Sequence, residues 1–148
     1  MPINRLPVRL RPQAVRIRRW ALTDGPLLVL VGLAVLARGI SYLPSVYDGD
    51  SQHPAEGLIP LDWWAMVWVV IGTFSVVMGL MPTLQRANAV AVGLCVGLHL
   101  LWASSFLLAS ASGERPRGWV SAVSYGLIAV LMVWAVWRGQ RRLTLTKE

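Results

Sequence analysis

The sequence predicts an all-α fold: an integral membrane bundle of four transmembrane helices with both termini on the cytoplasmic side. Three observations carry this expectation. The chain of 148 residues is 55% hydrophobic and only 14% charged, against about 25% charged in a typical soluble domain. Its apolar residues gather into four stretches of bilayer length that are apolar on every side, the pattern of a helix solvated by lipid. Its basic residues cluster at the ends of those stretches and are divided very unequally between the two sides.

The chain opens with a basic arm, residues 1–22, that carries Arg5, Arg9, Arg11, Arg16, Arg18 and Arg19. Val8-Arg9-Leu10-Arg11 recurs as Val15-Arg16-Ile17-Arg18. Arg9, Arg11, Arg16, Arg18 and Arg19 are expected to contact anionic lipid headgroups, each contributing about 1 kcal/mol near the surface. The plainer alternative is a tail that only sets topology. A basic balance also suits nucleic acid, but this distribution follows the membrane pattern, so no nucleic-acid partner is expected. Pro2, Pro7 and Pro12 argue against one long helix in the arm.

The transmembrane domain is expected over 23–138, with spans at about 26–42, 63–81, 89–110 and 119–137. Backbone amides find no water in hydrocarbon, so these stretches should be helices in spite of their β-branched residues. Thr23-Asp24-Gly25-Pro26 reads as a helix start, a capping side chain followed by proline in the first turn. Pro82 should stop the second span, and Gly113 and Pro116 should break the chain between the third and fourth. A tail over 139–148 follows, with Arg141, Arg142 and Lys147.

Orientation follows from counting. With the N terminus inside, the cytoplasmic segments hold six arginines before the first span, Arg86 between the second and third, and Arg138, Arg141, Arg142 and Lys147 at the end. That is eleven, against Arg115 and Arg117 outside. Tryptophans agree: Trp20, Trp134 and Trp137 fall at the inner boundary and Trp63, Trp64 and Trp119 at the outer, while Trp68 and Trp102 lie deeper. A cleaved secretory signal ending near Val35-Leu36-Ala37 is the rival reading, but the arm is long for one. The expected location is the cytoplasmic membrane, with the lipid bilayer as principal partner.

Two ionisable residues fall inside spans and are candidates for a role there. Arg38, near the outer end of the first span, should snorkel outward or pair with Asp48 or Asp50 of the acidic outer loop. His99, in the middle of the third span, should hydrogen-bond a neighbouring helix through Thr73, Ser75, Ser121 or Ser124. A proton or ligand role would need a second histidine or a carboxylate at its depth, and no span interior supplies one. Cys95 reads as a small packed residue. Helix-packing positions are Gly32 and Gly39, Gly72 and Gly79, and the GxxxG pair Gly93 and Gly97. They suit contacts within one bundle and a homo-oligomer equally.

The outer loop, 43–62, should be irregular around Pro44, Pro54 and Pro60, with at most a short turn. Asp48, Asp50, His53 and Glu56 do not match a calcium-loop series, so a solvated polar loop is expected and no metal site. No nucleophile–base–carboxylate set, HExxH, phosphate loop, CxxC or GxSxG is present. An enzyme is not expected, and no cofactor is assigned.

The segments Arg19-Trp20-Ala21-Leu22-Thr23-Asp24-Gly25-Pro26 and Leu36-Ala37-Arg38-Gly39-Ile40-Ser41-Tyr42-Leu43-Pro44, with Gly97-Leu98-His99-Leu100-Leu101-Trp102 and Trp134-Ala135-Val136-Trp137-Arg138-Gly139, give the chain a particular texture. In this it resembles small polytopic membrane proteins encoded by phages of high-GC Gram-positive bacteria, some of which are similar to holins. The resemblance implies a non-catalytic protein that oligomerises in the host membrane and opens lesions at lysis. A membrane anchor or interaction subunit of a phage or host complex, and a small transporter or channel, are the alternatives.

Overall fold

The computed structural model describes residues 7–43, 53–81 and 84–145, with side chains of 139–145 and Val8 left aside. The described residues form α1 (Arg11–Ala21), α2 (Gly25–Ser41), α3 (Leu61–Leu80), α4 (Gln85–Ala111) and α5 (Gly118–Leu145). Short 3-10 turns cover Val8–Leu10 and Pro54–Leu58, and no strand occurs among the described residues. Each expected span lies on one helix, and α5 runs beyond its expected end into the tail. Pro82 lies outside the described residues.

The arm's prolines bound a helix rather than forbid one. Pro7 precedes the first 3-10 turn, and Pro12 sits in the first turn of α1, where its missing N–H leaves no helical bond unmade. The stripe Leu10, Ala14, Ile17 and Ala21, at helical spacing, makes α1 amphipathic. None of its residues is buried against the protein.

Between α1 and α2 the chain bends by 71°. Thr23 makes the corner: its hydroxyl donates to Trp20 O at 2.7 Å and accepts from Gly25 N at 3.1 Å. The capping side chain is thus Thr23, while Asp24, the N-cap residue by position, makes no such bond. The Trp20 indole donates to Gly79 O at 2.8 Å and ties the corner to the end of α3.

Helices α3, α4 and α5 are each long and apolar enough to cross a membrane, and α1 with α2 adds a fourth crossing if the bent pair is one span. Buried positions recur at alternating intervals of three and four: Gly25, Leu28, Gly32, Val35 and Gly39 on α2, and Ala65, Trp68, Gly72, Ser75 and Gly79 on α3. That is the seam of helices crossing at a shallow angle. The opposite faces stay apolar. Leu30, Val70, Leu108 and Val130 are all at least 60% exposed, far more continuous apolar surface than a water-soluble monomer shows.

The α2–α3 seam is the tightest. A Cβ on Gly32 would stand 2.9 Å from Gly72 O, one on Gly72 2.6 Å from Leu36 N, one on Gly79 2.7 Å from Gly25 O, and one on Gly39 2.8 Å from Val69 N. Four of the six glycines read from the sequence, Gly32, Gly39, Gly72 and Gly79, therefore meet in one antiparallel interface. Gly25, seven residues before Gly32, extends it and was missed, although the same spacing marks it. Gly93 and Gly97 are elsewhere: both face outward from α4, with nothing within 4 Å of an added Cβ.

Candidate functional site

The bundle has two ends. The arm end carries α1, the start of α2 and the end of α3. The loop end carries the close of α2, the turn Pro54–Leu58 and the starts of α3 and α5. The polar groups of interest gather at the loop end and descend from it.

His53 anchors this cluster. Proline at 54 starts a 3-10 turn whose first amides need acceptors, and His53 and Glu56 supply a reciprocal capping box. His53 Nδ1 accepts from Ala55 N at 3.1 Å, and Glu56 Oε2 accepts from His53 N at 2.7 Å. With its backbone satisfied, the turn folds onto the bundle. Trp64 Nε1 donates to Ala55 O at 3.2 Å, and Ala55 is fully buried. The His53 ring lies 4.0 Å from the centroid of Phe106, 4.8 Å from Trp102 and 6.3 Å from Tyr125.

This corrects the expectation of a solvated polar loop at His53, which is only 5% exposed. Desolvation, with the charges of Arg38 and then Arg115, lowers the imidazole pKa to about 3, so the ring is neutral. Because Nδ1 accepts a hydrogen bond, the proton of the neutral ring sits on Nε2. Asp48 and Asp50 lie outside the described residues, and no group of three metal-ligating side chains occurs among the described ones.

Arg38 reaches this cluster from α2. Its Nη2 donates to Tyr42 Oη at 2.9 Å, and its guanidinium lies 5.0 Å from the Tyr42 ring centroid. Tyr42 also hydrogen-bonds Glu56. The expected partners, Asp48 and Asp50, are not among the described residues; the link that is seen runs through Tyr42 to Glu56. The signal was available in the sequence: Tyr42 follows Arg38 by four residues, one helical turn.

Beneath His53, Trp64, Trp68 and Trp102 pack edge to face, with centroids 4.6 Å apart for Trp64–Trp102 and 4.9 Å for Trp68–Trp102. His99 lies next, 6.3 Å from the Trp68 ring and 6.0 Å from Tyr125. Its expected bond to a neighbouring helix is not formed. Instead Nδ1 donates to Cys95 O of its own helix at 2.7 Å. A carbonyl can only accept, so Nδ1 carries a proton. Ser75 is occupied by Ile71 O and by Cys95 Sγ at 3.1 Å, Ser124 bonds Val120 O, and Thr73 faces outward. Cys95 is fully buried, as expected of a packed residue.

His53 and His99 therefore both lie near Tyr125, a shared neighbour that only long-range folding could reveal. Four buried donors around this line have no acceptor: Arg38 Nε, His53 Nε2, Trp68 Nε1 and Trp102 Nε1. An unmet buried donor costs about 1–3 kcal/mol. Chemically, the cluster offers hydrogen bonds to an acceptor such as water. It offers no nucleophile paired with a base. Comparison of the chain with protein-family models, curated proteins and solved structures finds no match.

Proposed function

We propose that α2, α3, α4 and α5 all cross the cytoplasmic membrane, with the arm and the C-terminal tail inside, and that the chain is a non-catalytic protein that self-associates there in the manner of holins. The arginine distribution supports the orientation. One observation carries the self-association: the two glycine sets have different fates. Those of α2 and α3 are used up within the monomer, whereas Gly93 and Gly97 lie open on α4, in line with exposed Ala89 and Ser104. Lipid tails are as apolar as leucine, so helix association in a bilayer relies on close backbone approach of this kind.

Induced expression in a bacterium tests the reading. Cells should lose membrane potential abruptly after a delay, and G93L/G97L should abolish both the loss and in-membrane crosslinking between copies. Undisturbed growth at high membrane levels of the wild-type chain would refute it.

A small channel or transporter is the second reading, favoured by the His53–Tyr125–His99 line with its unmet donors. Proton flux into vesicles that falls with both His53→Ala and His99→Ala, and not with G93L/G97L, would select this reading over the first.

A further inference from the structure

The arm end holds a groove that no part of the loop-end cluster uses. Arg16, Ile17, Arg19 and Trp20 of α1, Thr23 of the corner and Leu80 and Met81 at the end of α3 enclose about 620 Å³, within the usual size of a small-molecule site. Its composition is divided. Arg16 and Arg19, one turn apart on α1, bring two guanidinium groups to one side. Leu80 and Met81, 62% and 49% exposed, form an apolar side. Among the described residues, no acidic side chain lines it. The bend of 71° at Thr23 lays α1 across the bundle end rather than along it. The Trp20–Gly79 bond fixes the distance between the two sides. A cationic rim over an apolar floor, at the level where spans leave the bilayer, has the polarity of a phospholipid turned inside out.

We propose that this groove is a specific site for one anionic phospholipid, its phosphate held between Arg16 and Arg19 and the upper part of an acyl chain against Leu80 and Met81. The inference rests on the proposed membrane orientation, which places the arm end at the inner leaflet, and is independent of self-association. It separates the arm's arginines into two kinds. Arg16 and Arg19 form the site, whereas Arg9 and Arg18 contribute only to general attraction. Guanidinium suits the task because its planar fork grips two phosphate oxygens together.

Native mass spectrometry of the full chain released from detergent micelles tests this. With phosphatidylglycerol added, one lipid should remain bound per chain; with phosphatidylcholine, none should. R16Q/R19Q should weaken retention roughly 30-fold, the effect of two surface charges. R9Q/R18Q should leave it nearly unchanged, and R16K/R19K should restore part of it. Millimolar inorganic phosphate should not displace the lipid, because it lacks the chain. Equal losses in R16Q/R19Q and R9Q/R18Q would overturn the proposal in favour of diffuse attraction, and equal retention of phosphatidylcholine would reduce the groove to an apolar slot. Arg16 and Arg19 are exposed, so both variants should keep the wild-type circular dichroism. A chain that stays monodisperse without detergent would instead refute the membrane reading underneath.

Discussion

Gly72 and Gly97 are the same residue in similar apolar helices, yet one added methyl should affect them in opposite ways. At Gly72 the methyl would stand 2.6 Å from the Leu36 amide nitrogen, a backbone atom that cannot step aside. Gly72→Ala should therefore force α2 and α3 apart and cost about 1–3 kcal/mol. At Gly97 nothing lies within reach, and alanine is the better helix former by up to about 1 kcal/mol. Unfolding of the two variants in mixed micelles, at a dilution that keeps the chain monomeric, measures both. Equal destabilisation would contradict the α2–α3 seam. His53 makes a second prediction of this kind. The docked ring titrates at about 3 and an undocked one near its ordinary 6.5. Between those values the undocked form binds more protons, so docking is strongest above pH 6.5 and weakens as pH falls toward 3. The loss is at most about 1.4 kcal/mol per pH unit. The thermal midpoint should fall between pH 7 and 4.5 in the wild type and fall less in His53→Phe. Parallel pH profiles would show that His53 is not docked.

One side-chain bond helps hold helix α1 in its place. Its own residues are unburied, and the Trp20–Gly79 hydrogen bond ties the corner to α3. Trp20→Phe keeps the ring and removes the donor. It should free α1 to swing about Thr23 at a cost of about 0.5–1.5 kcal/mol, seen as faster amide exchange over residues 11–21 with α3 unaffected. Slow exchange in the variant would mean that the membrane surface, not this bond, holds α1. The Pro54–Leu58 turn differs, since its capping box and the Trp64–Ala55 bond seat it within the bundle end. Gly113, with φ of 81°, closes α4 in the left-handed conformation that favours glycine. Gly118 lies where a side chain would meet Phe106 O at 2.7 Å.

The described helices carry apolar residues both in the core and on the outward faces. Membrane topology is the corresponding prediction. Single-cysteine labelling of a Cys95→Ala chain in intact cells should modify a cysteine at position 57, an open glycine of the loop, and spare one at 148. Labelling at 148 alone would invert the proposed orientation. The apolar stretches and arginine tails made the helices legible, because lipid solvation is read from composition over a window and needs no knowledge of neighbours. That Gly32 and Gly39 share a face, and likewise Gly72 and Gly79, was legible for a related reason, since spacing of seven places residues on one face whatever that face meets. His53 was not, because its burial depends on Phe106, Trp102 and Tyr125, on two helices far along the chain. Nor could the sequence distinguish Gly93 and Gly97 from the glycines that pack. Periodicity along a helix says which residues share a side, but which side turns inward is settled by contacts among all the helices at once.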